Sequence, residues 1–186
     1  MEELLLGLRH ITDPGGYDHM LYLLALMAWA EWRHLGRLAL LATAFTVGHS
    51  LTLVLAGLEW VHPDPVWVEF LIPLSIVVTA VANARERAVE GPSAMTYGVT
   101  VGFGLVHGLG FSTFFRIASD PGEGIVGALL RFNLGVEAGQ ILILTALLGA
   151  VTLAGRAGIP PRTRQLFLTG AAAGPACILL LERLPL

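Results

Sequence analysis

Six residues of this chain carry chemistry that their surroundings make costly: Asp18, His19, His49, Glu69, His107 and Glu137 all fall within apolar runs. An ionisable group near the centre of a lipid-spanning helix costs roughly 2.5–3.5 kcal/mol. A lone histidine there is ordinarily an interhelical hydrogen-bond partner. A lone carboxylate near a span's end is ordinarily a cap, and Asp18 opening a helix is favoured by the helix dipole. Three imidazoles and three carboxylates together, with no lysine in the chain, want a cation. Imidazole nitrogen with carboxylate oxygen suits a divalent transition metal: Ni, Co, Zn, Fe or Cu, one or two ions per chain. His10 and Asp13 stand just ahead of the first apolar run, where they would sit at the mouth of such a site. The metal ligands expected are therefore His10, Asp18, His19, His49, Glu69, His107 and Glu137.

The residues around these six sharpen the expectation. Asn133, Glu137 and Gln140 are spaced i, i+4, i+7 and share one helix face, a polar stripe expected to point inward. Thr46 and Thr52 lie one turn either side of His49, placed to orient its ring or, with Ser50, to line a polar path. Tyr22 shares a face with Asp18 and His19. His34 and His62 fall in loops and are read as solvated. There is also an internal echo: FTVGHSL (45–51) and FGLVHGL (103–109) share F-x-x-x-H-x-L, and each precedes a run with a Val-Glu step, Val68-Glu69 and Val136-Glu137. A parallel repeat would present two His–Glu pairs to a shared centre.

The elements that must position these groups are membrane helices. Of 186 residues, 55% are hydrophobic and 13% charged, too apolar for an ordinary soluble domain. The expected fold is all-α: a single polytopic transmembrane domain over 1–186, with six spans at about 17–33, 37–58, 66–84, 94–118, 124–155 and 163–183. Turn residues punctuate them: Pro14-Gly15-Gly16, Pro63-Asp64-Pro65, Gly91-Pro92, Pro121-Gly122 and Pro160-Pro161. The apolar stretch EELLLGLRHI (2–11) is half the required length and reads as a short interfacial or re-entrant helix ahead of the spans. Span six offers no ligand and is read as scaffold. Glycines 98/102 and 104/108 in span four form two small-x-x-x-small pairs that allow close helix approach.

Arginines set the orientation. Arg33, Arg37, Arg85, Arg87, Arg156, Arg162 and Arg164 fall between alternate spans; the opposite loops hold mostly acids, including Asp64, Asp120 and Glu123, with Arg9, Arg116 and Arg183. The positive-inside rule then places both termini outside the cytoplasm, on the periplasmic side of a bacterial inner membrane. The acidic start, Glu2 and Glu3, lacks the basic region of a cleavable signal peptide. Cys177 is the one cysteine, so no disulfide forms within the chain and no thiolate cluster holds the metal. The net charge of −3 gives no reason to expect nucleic acid. The expected partners are the lipid bilayer and a metal ion, and a homo-oligomer is compatible with both.

The segments HITDPGGYDHMLYLLAL (10–26), TAFTVGHSLTL (43–53), VEFLIPLSI (68–76), FGLVHGLGFS (103–112) and FNLGVEAGQ (132–140) resemble the HupE/UreJ family, most closely its second branch. The resemblance implies a small membrane protein associated with hydrogenase and urease accessory functions, and nickel or cobalt permease activity. The family's His…Asp-His element is similar to His10, Asp18 and His19, at a longer spacing here. Its later His-Gly element matches His107-Gly108, with Phe103-Gly104 where the family pattern has Phe-His. Two functions follow. One is a divalent-metal permease whose intramembrane site lies in the outer half of the bundle. The alternative is a membrane-embedded metalloenzyme whose mono- or dinuclear centre activates water or oxygen.

Overall fold

The computed structural model describes residues 1–85, 92–118 and 125–185, with side chains at all of these except 112–118, 125 and 126. Arg87, Gly91, Asp120, Pro121, Gly122 and Glu123 lie outside the described residues, as does the Arg116 side chain. Every regular element described is helical: α1 (Glu2–Thr12), α2 (Asp18–Met27), α3 (Leu35–Gly57), α4 (Pro65–Arg85), α5 (Ala94–Ala118), α6 (Ile125–Arg156) and α7 (Pro161–Glu182). Short 3-10 turns at Pro14–Gly16 and Trp32–His34 join the first three.

Five of these helices, α3 to α7, are long and apolar enough to cross a membrane. The run at 17–33 departs from expectation. It folds as the ten-residue helix α2 followed by a turn, well short of a full span. The reason is local: after Met27 the chain turns through Ala28–Ala30, and Glu31 starts a new capping box. There the Glu31 N–H donates to His34 Nδ1 at 3.0 Å, while the Glu31 carboxylate accepts from the His34 backbone. His34, read from sequence as solvated, is thus half-buried, its ring tilted against that of Trp29; His62 is exposed.

α1 is a separate short helix laid along α6. Gly7 abuts the Phe132 carbonyl, Gly135 abuts the Leu4 carbonyl, and Gly139 receives the Ile11 side chain, so a methyl at any of the three would collide. Glu3 anchors the start of α1 to Arg131 at 3.1 Å. Its own backbone hydrogen bond and the guanidinium hold the Glu3 carboxyl below its ordinary value. Pro14 ends α1, because the residue before a proline is steered out of the helical region and Asp13 is extended (φ −67°, ψ 119°).

The same close-approach device joins α3 to α5. Gly48 sits on the Val101 carbonyl, Gly104 on the Phe45 carbonyl and Gly108 on the His49 carbonyl. Contacts on the two helices advance together, so the two histidine spans run in the same direction. Of the two glycine pairs in this span, 104/108 makes the crossing; Gly98 and Gly102 face open space.

At the opposite end of the bundle, polar side chains tie helix ends together. Asn83 of α4 donates to the Ala25 carbonyl of α2 at 2.5 Å, and Gln165 of α7 donates to the Asn83 carbonyl at 2.8 Å. Arg162 donates to the Ala84 carbonyl at 2.5 Å, and Arg164 to the Val151 carbonyl at 2.8 Å. The ends of α2, α4 and α6 therefore meet the start of α7 at one arginine-bearing end. Leucines such as Leu40, Leu130, Leu134 and Leu142 face outward, more than half exposed, as a surface against lipid requires.

Candidate metal centre

Three short-range facts bring the histidines together. The close α3–α5 crossing sets the His49 backbone against Gly104 and Gly108 of α5, the helix that carries His107. α1 delivers His10 in its last turn. α2 opens on Asp18-His19 at the point where α1 has ended. The ring centroids lie 4.6 Å apart for His10–His19, 5.8 Å for His10–His49, 6.1 Å for His19–His49 and 5.2 Å for His19–His107. One ligand nitrogen from each of His10, His19 and His49 lies within 4.8 Å of the others. His49 and His107 are each 1% exposed.

Hydrogen bonds set the tautomers. The Phe103 carbonyl can only accept, so His107 Nδ1 must carry the proton of their 2.8 Å bond. Asp18 Oδ1 likewise accepts from His19 Nδ1 at 3.0 Å and from the His19 backbone N–H at 2.9 Å. In neutral His19 and His107, Nε2 is then left with its lone pair. These two atoms, with His10 Nε2 and both ring nitrogens of His49, are buried and have no hydrogen-bond partner among the described residues. One ring nitrogen of a neutral His49 carries the proton, so each imidazole offers one lone pair; ligand nitrogens of His10, His19 and His49 lie close enough to share an ion, with His107 beside His19. The Asp18–His19 pair has the form of a carboxylate orienting a metal-binding imidazole. Burial, then the neighbouring His19, His49 and His107 rings, hold the His10 imidazole far below its ordinary pKa and so in its neutral, ligand-competent form.

The cluster forms the inner wall of a cavity of about 840 Å³, open to solvent, which His10, His19 and His107 reach. Asp13, Asp18 and Glu69 line the same cavity, as do Arg9 and Arg183. Asp13 is exposed, and its carboxylate accepts from the Gly15 N–H at 2.9 Å. Glu69 is exposed as well, one turn into α4. Tyr22, one turn past His19, is buried with its ring 5.4 Å from that of His107 and 4.9 Å from that of Phe45.

The other expected site residues go elsewhere. Glu137 accepts from the Thr43 hydroxyl and lines a lateral cleft of about 480 Å³ between α3 and α6, with Asn133, Thr46 and Ser50. None of the four clustered histidines lines that cleft. Gln140 is fully buried and accepts from Thr46 Oγ1 at 3.0 Å. Thr46 and Thr52 do not orient the His49 ring: Thr52 donates to the His49 carbonyl at 3.0 Å, and Thr46 serves the Ala42 carbonyl and Gln140. Ser50 donates to the Thr46 carbonyl at 2.5 Å. A hydroxyl within a helix finds the carbonyl one turn back before it finds a neighbour.

Sequence reasoning passed over Phe111, whose ring centroid lies 3.7 Å from that of His10, and the two cavity arginines. Arg9 adjoins His10 in the chain, a signal that could have been used. Arg183 is brought in by α7 running antiparallel to α4, which composition alone does not reveal.

No curated protein and no solved structure is found to match this chain. A family model does match, over residues 1–181, and its description is HupE / UreJ protein. Nearly the whole chain is covered, including every helix that brings a histidine to the cluster, and the chain belongs to the HupE/UreJ family.

Proposed function

We propose that this protein is a divalent transition-metal permease of the nickel or cobalt type, with His10, His19, His49 and His107 as the intramembrane ligands and Asp18 orienting His19. The observation that carries the reading is the cluster of His10, His19 and His49, with His107 beside it, whose buried imidazole nitrogens lack hydrogen-bond partners among the described residues behind the wall of an open cavity. A hydrated divalent ion sheds water only where replacement ligands are at hand, and neutral imidazoles replace water without adding charge. Four neutral ligands bind more loosely than a cage of carboxylates would, which suits an ion that must leave again.

The positive-inside rule orients the arginine-bearing end toward the cytoplasm of a bacterial inner membrane, with both termini in the periplasm and the cavity opening outward. Beyond the cluster, Tyr22 and then the Asn83 and Gln165 amides at the arginine-bearing end provide polar groups for onward passage. The alternative reading is a metalloenzyme with a mono- or dinuclear His/carboxylate centre, which would draw carboxylates in among the imidazoles. Asp18 is engaged with His19, Glu69 stands exposed on the cavity wall and Glu137 lines a different cleft, an arrangement that favours carriage.

The test is uptake of radiolabelled nickel into proteoliposomes. Wild type should load the vesicles and His49→Ala should not. Vesicles that load no faster with the wild type than without protein would refute the permease reading.

A further inference from the structure

We propose that the metal reaches this site as a complex with a small carboxylate-bearing chelator, whose carboxylates are held by Arg9 and Arg183 while the metal faces the histidines. The inference rests on the metal reading above and names its substrate class.

Two observations carry it. The first is charge. Arg9 and Arg183 line the same cavity as His10, His19 and His107, and neither forms an ion pair among the described residues. Asp13, Asp18 and Glu69 line the cavity with them, so a cation is admitted, and the two guanidinium groups add a place for carboxylates beside it. Their planar forks are matched to carboxylates, which they bind through paired hydrogen bonds. The cavity's acids do not neutralise them within contact distance: Asp18 is held by His19, Asp13 caps Gly15, and Glu69 makes no ion pair among the described residues.

The second observation is size. A hexahydrated ion fills about 200 Å³ at ~30 Å³ per water. The cavity holds about 840 Å³, room for an ion together with an organic ligand of several carbons. Apolar wall is supplied by Leu6, Ile72 and Phe111, against which a chelator's carbon skeleton can lie.

The exchange balances simply. Imidazole Nε2 lone pairs replace water on the metal, the chelator keeps its own coordinate bonds, and no electron or proton changes hands. An amino acid and a hydroxy-polycarboxylate share this chemistry, and citrate serves as the probe.

The experiment is equilibrium dialysis of the detergent-purified full chain against labelled nickel, labelled citrate, or both. The expected result is citrate retained together with nickel and not by itself. Citrate retained per nickel should fall about tenfold in each of Arg9→Gln and Arg183→Gln. Nickel retained with no citrate, or citrate retention that ignores both substitutions, would overturn the proposal. The two failures separate cleanly. Absence of nickel retention in every arm overturns the metal reading and this inference with it. Normal nickel retention without citrate overturns this inference alone.

Discussion

Replacing Asp18 by asparagine tests the logic of the centre without touching a ligand. Asp18 Oδ1 accepts two hydrogen bonds from His19, one from the backbone N–H at 2.9 Å and one from Nδ1 at 3.0 Å. The second fixes the tautomer that leaves Nε2 facing the other imidazoles. An asparagine oxygen keeps the geometry and removes the charge. A hydrogen bond to a charged group is worth about 1–2 kcal/mol more than a neutral one. Through His19 that difference becomes a loss of roughly fivefold to thirtyfold in nickel affinity. Asp18→Ala also frees the tautomer, and its loss should approach the upper end of the tenfold to hundredfold range for orienting partners, about a hundredfold. Isothermal titration of the purified protein with nickel at constant neutral pH reads both values. Affinity indistinguishable from wild type in both variants would refute the claim that His19 binds metal through Nε2 under Asp18's control.

Other expectations follow from the same geometry. His49→Ala and His107→Ala should each lose nickel binding while remaining folded by circular dichroism, whereas exposed His62→Ala should match wild type. Glu137→Gln should leave nickel affinity at the wild-type value in the same titration, since its carboxylate lines the lateral cleft and bonds to Thr43. Gly104→Ala places a methyl on the Phe45 carbonyl and should destabilise the α3–α5 pair by about 1–3 kcal/mol, read as a lower midpoint in detergent unfolding. Gly102→Ala, with open space around it, is the matched control. Nickel affinity should stay level across the neutral range and fall only in acid, because burial holds the His10 imidazole far below its ordinary pKa and protons compete for its lone pair only there; titrations from neutral to acid pH would show it.

The helical fold could be read from the chain because it depends on apolar run length. Segments 45–51 and 103–109 lie against each other, with Phe45, Gly48 and His49 meeting the backbone of Val101, Gly104 and Gly108, but the two His–Glu pairs expected of their likeness are not brought to one centre. The destinations of the carboxylates were not legible. Spacing shows that Asn133, Glu137 and Gln140 share a face, but a face can look toward either neighbour. Here α1 occupies one flank of α6 and α3 the other, so Glu137 meets Thr43. Glu69 lies one turn into α4 and stays exposed, a consequence of helix rotation that sequence does not specify. The first apolar run misled for a different reason. Composition counts Trp29 and Ala30 as membrane residues, while the chain breaks before them to form the Glu31–His34 cap.

The central claim is that four imidazoles meet a metal at the base of the cavity. X-ray absorption of the nickel-loaded protein tests it most directly, since imidazole rings leave a characteristic multiple-scattering pattern. Three or four histidine rings at the bound metal is the predicted result. Nickel surrounded by oxygen alone would contradict the account.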